Sequence, residues 1–169
     1  MRLELHYGDI TDYVADCIVN AARPSLLGGG GVDGAIHKKA GEKLSEFCKK
    51  LAGCLVGEAK LTPGFNLPSK YILHTVGPRL LFNNDKEKDD LKRCYLSCLV
   101  IAKNEKFETI VFPNISTGAY GFPKNLASQI AFKTVLDFLV ANEYPKKVVF
   151  CCYDIENLEF YSSLIKINE

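Results

Sequence analysis

The chain has 169 residues, of which 47% are hydrophobic and 24% are charged. This is the size of one ordinary domain with a two-sided core, and it excludes a disordered tail or a collagen-like repeat. Lys and Arg total 21 against 20 for Asp and Glu, a formal net charge of +1. So even a balance argues against a protein that grips a long phosphate backbone. We expect a single domain over residues 1–169 and do not expect nucleic acid as a partner.

The sequence contains no run of 18 or more apolar residues, so we expect no membrane-spanning helix. Its first ten residues, MRLELHYGDI, carry charge where a secretory signal would need an apolar run. The seven cysteines are an odd number for a secreted protein, and they show no C-x-x-C zinc spacing. We expect reduced, mostly buried thiols in a cytoplasmic protein, with a redox role left open for the adjacent Cys151 and Cys152.

Short runs rich in β-branched and aromatic residues predict six strands, at Leu3–His6, Cys17–Asn20, Glu58–Thr62, Tyr71–Thr75, Thr109–Pro113 and Lys147–Cys152. Several of these runs are apolar at nearly every position, which is typical of central strands covered on both faces. Apolar stripes at helical spacing fall between them, at Ile36–Leu51, Leu91–Ala102 and Ala127–Phe138, followed by a short helix at Glu156–Ile165. The polar segment Asn83–Asp90 predicts a solvated loop. This alternation predicts a layered α/β domain.

A glycine-rich segment at Asn20–His37 follows a predicted strand and opens a predicted helix. Four successive glycines, Gly28–Gly31, are costly to order, so such a loop makes sense where the backbone approaches a ligand closely. The N–H groups at a helix N-terminus are natural donors to phosphate. The spacing matches neither the Walker motif nor the G-x-G-x-x-G fingerprint. A flexible surface connection is the alternative interpretation.

A second loop of the same character, Phe112–Pro123, leaves another predicted strand and enters a helix. Its short side chains leave the backbone donors accessible. Ligands of α/β sheets bind outside the carboxyl ends of the strands, where two such loops face one another. Together the loops predict a site for a diphosphate, although many nucleotide folds could supply one.

Two aspartates stand at positions suited to chemistry. Asp9 follows the first strand, where it could cap a turn or accept hydrogen bonds from the amino group of a base. Asp33 follows the glycine run, where it could cap the helix, orient a sugar hydroxyl or activate water. The three histidines are dispersed without a metal motif, and His74, inside an apolar strand, is typical of a structural residue. No serine lies in a nucleophile elbow, and no metal is predicted.

These segments together resemble the macrodomain family, and within it the MacroD-type ADP-ribosyl hydrolases. The resemblance covers essentially the whole chain and rests on six ordered motifs, GDIT, IVNAA, LLGGGGVDGAIH, GEAKLTPGFNLP, YILHTVGP and ISTGAYGFP. It implies a three-layer α/β/α sandwich with a central mixed sheet and an ADP-ribose cleft at the strand ends. It also implies hydrolysis, without a metal or cofactor, of the ester that joins the distal ribose to a protein Asp or Glu, or of O-acetyl-ADP-ribose.

The resemblance also implies roles for individual residues. Asp9 would bind the adenine amine, Ile10 would contact the ring through its backbone, and Tyr153 would pack on the adenine. Two loops would wrap the diphosphate and the distal ribose; they comprise Gly29, Gly30, Gly31 and Val32, and Ser116, Thr117, Gly118, Ala119 and Tyr120. Asn20 would hydrogen-bond the distal ribose, with Asp33 beside it as the acidic residue implicated in hydrolysis.

One position departs from the family pattern, because members usually read N-A-A-N where this chain reads N-A-A-R. Arg23 therefore replaces an asparagine that the family ties to activity. Asn both donates and accepts hydrogen bonds, whereas Arg only donates and is permanently charged. Arg23 could pair with Asp33, grip a phosphate or turn outward. Two functions stay open: a hydrolase with Asp33, Asn20 and Arg23 as catalytic candidates, or a reader that binds ADP-ribosylated protein without cleaving it.

Overall fold

Six strands form one mixed sheet in the computed structural model, which describes residues 1–169. They are β1 (Leu3–Tyr7), β2 (Cys17–Ala21), β3 (Ala59–Pro63), β4 (Tyr71–Thr75), β5 (Thr109–Phe112) and β6 (Lys147–Cys152). Their order is β1-β6-β5-β2-β4-β3, and every neighbouring pair is parallel except the antiparallel β3 and β4. Each strand expected from the sequence is present, and its ends differ by at most one residue.

Five helices cover the two faces of the sheet. They are α1 (Gly31–Ala40), α2 (Glu42–Lys49), α3 (Asp85–Asn104), α4 (Lys124–Ala141) and α5 (Ile155–Asn168). One buried cluster joins α1 and α2 to the sheet, and a larger one joins α3, α4 and α5 to its other face. This arrangement confirms the three-layer α/β/α sandwich with a central mixed sheet. None of the helices has the length and apolar character needed to cross a bilayer.

The single helix expected over Ile36–Leu51 is wrong, because the chain breaks at Gly41 between α1 and α2. Gly41 has φ 91°, a left-handed conformation that glycine adopts without the penalty of a Cβ atom. The apolar stripe continues through Ala40 and Leu44, which are both buried in the same cluster. Periodicity alone therefore could not locate the break, although the glycine at its centre could.

The solvated loop expected over Asn83–Asp90 is also wrong beyond its first two residues. The Asn84 side chain caps α3 by accepting from the Glu87 N–H, and the Glu87 carboxylate accepts from the Asn84 N–H, which completes a capping box. The Glu87 carboxylate also accepts hydrogen bonds from the N–H groups of Leu81 and Phe82, each at 2.9 Å. The acidic run is thus a helix start, and its capping pattern was present in the sequence.

All seven cysteines are buried and free. The adjacent Cys151 and Cys152 belong to different core clusters, because successive side chains of a strand point to opposite faces. Burial raises the pKa of Cys151 to about 12 and that of Cys152 to about 11. Both side chains are therefore protonated at neutral pH and poor nucleophiles, which argues against the redox role.

Candidate functional site

The five mutually parallel strands end at one edge of the sheet, and the loops that follow them enclose a cleft of about 640 Å³. The cleft is lined from the loop after β1, the glycine loop before α1, the β4–α3 connection, the loop after β5 and the start of α5. A site of this volume accommodates a nucleotide-sized ligand. Its place at the carboxyl ends of the strands agrees with the prediction from the two glycine-rich loops.

Two stretches of backbone in these loops have unused donors. The N–H groups of residues 28 to 33 form no hydrogen bond within the protein, and neither do those of residues 116 to 120. Gly31 begins α1 with φ 59°, and Ser116 has φ 65°, so both loops hold a left-handed residue that turns the backbone. Unpaired N–H groups beside a helix N-terminus attract anions. The cleft therefore has two facing sets of anion donors.

A buried polar cluster lies under one end of the cleft. The Asn20 side-chain amide Nδ2 lies 2.9 Å from Asp33 Oδ1 and 3.1 Å from His74 Nδ1. His74 Nε2 lies 2.9 Å from the Thr62 hydroxyl, and His37 Nε2 lies 3.4 Å from Asp33 Oδ1. Burial, with a smaller contribution from His37, lowers the pKa of His74 to about 3, so this imidazole is neutral at neutral pH.

Four enclosed polar atoms in the wall of the cleft and beneath it have no hydrogen-bond partner within the protein. They are Asn20 Oδ1, Asp33 Oδ2, His37 Nε2 and Ser116 Oγ. Buried polar groups are nearly always hydrogen-bonded, because an unmet group costs about 1–3 kcal/mol. Asp33 lines the cleft although its residue is only 4% exposed. Its Oδ2 is an enclosed, unused acceptor in the wall of the cleft.

The opposite end of the cleft is more open. Asp9 caps a short 3₁₀ helix, and its Oδ1 accepts hydrogen bonds from the Thr11 hydroxyl at 2.7 Å and the Thr11 N–H at 2.9 Å. These bonds lower the pKa of Asp9, so it stays ionised at neutral pH. Tyr153 is 80% exposed and lines the cleft beside Asp9 and the buried Ile10. The cap and the recognition role of Asp9 are compatible, since its Oδ2 has no bond to Thr11.

Arg23 lies along the glycine loop and forms no ion pair with Asp33. A Cβ atom on Gly29 would lie 2.5 Å from Arg23 Nε, so the arginine side chain crosses directly over the Gly29 backbone. Arg23 is exposed and lines the cleft, so of the alternatives for this residue the pairing with Asp33 is not realised in this structure. The N-cap interpretation of Asp33 is also wrong, since Gly30 caps α1.

The structure brings most of the predicted site residues to the cleft. Those that line it are Asp9, Ile10, Arg23, Gly30, Gly31, Val32, Asp33, Ser116, Thr117, Gly118, Ala119, Tyr120 and Tyr153. Asn20 and Gly29 do not line it: Asn20 is fully buried beneath Asp33, and Gly29 lies behind Arg23. The Asn20 amide contacts Asp33 in this structure, and its expected bond to a ribose stays a prediction.

Several cleft residues escaped the sequence reasoning, among them Gly77, Arg79, Asn114, Asp154 and Asn157. Arg79 lies over the Tyr120 ring, 4.9 Å from its centroid, and the Leu80 N–H donates to the Tyr120 carbonyl at 2.9 Å. These residues could have been found from their place in the chain, because the residues that follow β4, β5 and β6 all reach the same edge of the sheet as the glycine loop.

Comparison with known proteins identifies this architecture. A family model described as Macro domain matches residues 19–131. An O-acetyl-ADP-ribose deacetylase of an Enterobacter species is 45% identical over 168 residues, which covers 97% of this chain and 93% of the relative. A macro domain-containing protein of Chlorobaculum tepidum is 48% identical over 157 residues, 93% of this chain and 91% of the relative.

Solved structures agree. A variant of the Oceanobacillus iheyensis macrodomain with ADPR superposes with a TM-score of 0.94 at 40% identity, covering 98% of this chain and 92% of that one. The Trypanosoma brucei macrodomain in complex with ADP-ribose gives a TM-score of 0.91 at 38% identity, covering 97% of this chain and 69% of that one. The fold implied by the sequence motifs is thereby confirmed.

Proposed function

The chain belongs to the macro domain family, and on that premise we propose that it binds ADP-ribose in the cleft and hydrolyses an ester on the distal ribose. The substrate is ADP-ribose esterified to a protein Asp or Glu, or O-acetyl-ADP-ribose. The observation that carries the proposal is the pairing of two free-amide loops with a buried carboxylate, Asp33, whose Oδ2 is unpartnered. The proposal assigns binding and hydrolysis to one domain over residues 1–169.

The binding mode follows from where donors and acceptors lie. The free N–H groups of residues 28–33 and 116–120 supply positive potential for the diphosphate without requiring Lys or Arg. Ionised Asp9 accepts from the exocyclic amine of adenine, and exposed Tyr153 covers the ring. The distal ribose then lies between Asp33 and Tyr120, at the end of the cleft with the unpartnered polar atoms.

The reaction itself needs only water and one base. A water molecule held by Asp33 Oδ2 attacks the ester carbonyl carbon, and Asp33 accepts its proton. The bond from that carbon to the ribose oxygen breaks, the proton returns to the ribose oxygen, and free ADP-ribose and a carboxylic acid result. Proton transfer by a positioned carboxylate contributes a factor of about 10²–10⁴ to the rate. The substrate diphosphate is a second candidate to position this water.

A second function, a reader that binds the mark without cleaving it, is favoured by Arg23. Its side chain lies over Gly29 in the wall of the cleft, where its positive charge can attract the diphosphate of the substrate. Such a contact strengthens binding of the ground state and gives no rate enhancement unless it also strengthens in the transition state. Tight binding with a slow chemical step is the signature of this alternative.

A de-ADP-ribosylation assay on wild type, Asp33→Ala and Arg23→Asn tests the proposal, with exposed Asp89→Ala as the control. We expect Asp33→Ala to lose turnover by about 10²-fold or more while calorimetry shows ADP-ribose binding largely intact. Equal rates in wild type and Asp33→Ala would remove the assignment of Asp33. Unchanged label on the wild-type substrate, together with tight binding of ADP-ribose, would select the reader. A faster Arg23→Asn protein would identify Arg23 as an attenuator.

A further inference from the structure

A continuous chain of hydrogen bonds runs from the sheet to Asp33, and each of its members is buried. It connects Thr62 on β3, His74 on β4, Asn20 on β2 and Asp33 on α1, with separations of 2.9, 3.1 and 2.9 Å. Asn20 and His74 occupy the same register position on neighbouring parallel strands, so their side chains emerge on the same face. The central strands thereby place an imidazole directly against the amide that touches Asp33.

The chemistry of these groups assigns every proton in the chain. A carboxylate only accepts, so Asn20 must turn its NH₂ group, and not its oxygen, towards Asp33. The second hydrogen of that NH₂ group points to His74 Nδ1, which must then be the unprotonated ring nitrogen. The ring proton is left on Nε2, which donates to the Thr62 hydroxyl, and Thr62 donates to the Pro63 carbonyl at 3.1 Å.

Asp33 and His74 together fix the orientation of Asn20, because each accepts from its NH₂ group. If the amide turned over, its oxygen would face both the Asp33 carboxylate and the lone pair of His74 Nδ1, which is repulsive on both sides. The NH₂ group of Asn20 is held by these two acceptors alone, since Asn20 Oδ1 has no partner within the protein. The packing of an apolar side chain at position 74 would fill the same space without choosing an orientation.

We infer that His74 is a positioning residue for the hydrolysis: it acts through Asn20 to fix one carboxylate oxygen of Asp33, so that the other faces the cleft. The inference rests on the proposed function and adds to it a specific requirement, namely an acceptor at the Nδ1 position of residue 74. Thr62 takes part by holding the ring proton on Nε2.

Two substitutions of His74 separate positioning from packing. Asn at this position places a carboxamide near the site of Nδ1 and keeps an acceptor for Asn20. Gln extends to the site of Nε2, keeps a partner for Thr62 and removes that acceptor. We expect His74→Gln to lower kcat by about tenfold to a hundredfold with KM and ADP-ribose affinity little changed, since misplacement of a reacting group has effects of this size. His74→Asn should rescue most of the lost rate.

A purely structural role for His74 predicts a different result. Both variants would then lose rate in proportion to their loss of thermal stability, or KM would change as much as kcat, and either result overturns the inference. Thr62→Val, which leaves His74 in place, guards against misfolding of the His74 variants. It should slow kcat by a smaller factor, because the ring proton is then free to move to Nδ1.

A measurement on the wild-type protein tests directly whether Nδ1 of His74 is the acceptor for Asn20. Long-range ¹H–¹⁵N spectra of labelled protein report which ring nitrogen of His74 carries the proton. We expect the proton on Nε2, with no titration across about pH 5 to 8, since burial lowers the pKa of His74 to about 3. A proton on Nδ1 or a charged ring would overturn the inference. An inactive wild-type protein would instead overturn the proposed hydrolysis, and these spectra would still decide whether His74 orients Asn20.

Discussion

The two ends of the cleft differ in how their polar atoms are satisfied. At the Asp33 end, two buried side chains, Asn20 and Asp33, each keep one polar atom without a hydrogen-bond partner within the protein. At the Asp9 end, the carboxylate is tied to Thr11 and the neighbouring Tyr153 is largely exposed. At the first end, the unpartnered carboxylate oxygen of Asp33 suits chemistry, whereas at the second the carboxylate is already held by Thr11, which suits recognition.

Among variants measured by binding, the largest effect is expected from Gly34→Ala, next to Asp33 on α1. A Cβ atom on Gly34 would lie 2.5 Å from the Gly29 carbonyl oxygen, so the glycine loop must shift. Overpacking of this kind costs about 1–3 kcal/mol. Because the ligand is expected to need the loop in its present position, binding should bear this cost, a loss of roughly tenfold to a hundredfold in ADP-ribose affinity. Alanine otherwise favours a helix over glycine, so the loss would not come from helix propensity.

Calorimetry measures that affinity, with Lys38→Ala on the exposed face of α1 as the matched control. Wild-type affinity in Gly34→Ala would show that the loop can shift freely, and would remove the argument that its backbone position determines binding.

The second-largest effect is expected in the pH dependence of folding stability, where His74, below the Asp33 end, and Asp9 should differ. The pKa of His74 is about 3 in the folded protein and about 6.5 when unfolded, so the unfolded state binds the extra proton between these values. The contribution of His74 to stability is therefore complete above pH 6.5 and lost as the pH falls towards 3, by about 1.4 kcal/mol per unit. Asp9, with its lowered pKa, loses its contribution only below the ordinary range of a carboxyl.

Chemical denaturation from pH 7 down to pH 5 measures this slope. His74→Asn should flatten it, whereas His6→Asn, at an exposed position, should not. Equal slopes in all three proteins would show that His74 is hydrated or charged in the folded state, contrary to its position in the bond chain.

The smallest effect is expected at the Asp9 end. Asp9→Asn keeps an oxygen for Thr11 but removes the charge and turns a donor towards an adenine amine. We expect a loss of about 1–2 kcal/mol in binding, or roughly tenfold in affinity. The loss should be smaller for the hypoxanthine analogue of ADP-ribose, which has no exocyclic amine. The same loss with both ligands would mean that Asp9 does not contact the base.

Much of the fold was predictable because each strand is a short apolar run that can be identified from its own sequence, without knowing which strand it pairs with. The break at Gly41 was not, since Ile36, Ala40 and Leu44 continue one stripe through it. The start of α3 was hidden by its charges, although Asn84 and Glu87 have the spacing of a capping box. In both places one or two residues, the glycine at 41 or the capping pair, indicated the correct structure, whereas the apolar stripe or the run of charges indicated the wrong one.

For the site, the sequence motifs identified the loops but not the depth of each residue. Asn20 and Asp33 are 13 positions apart, and only the pairing of β2 with β4 and the packing of α1 place Asn20 beneath the carboxylate. Arg79 carries no motif of its own and reaches the cleft because β4 ends beside β2. Long-range pairing of this kind cannot be derived from local spacing.

Because the Arg23 side chain crosses over Gly29, a substitution at one of these positions should change the effect of a substitution at the other. A side chain at position 29 must displace the Arg23 guanidinium, whose Nε, Cδ and Cζ atoms all lie within 3.1 Å of the added Cβ. The cost of a larger residue at 29 therefore depends on which residue occupies 23, a form of epistasis between neighbouring loops. Because Arg23 is a long, exposed side chain that can turn aside, arginine at 23 should make alanine at 29 less favourable without excluding it.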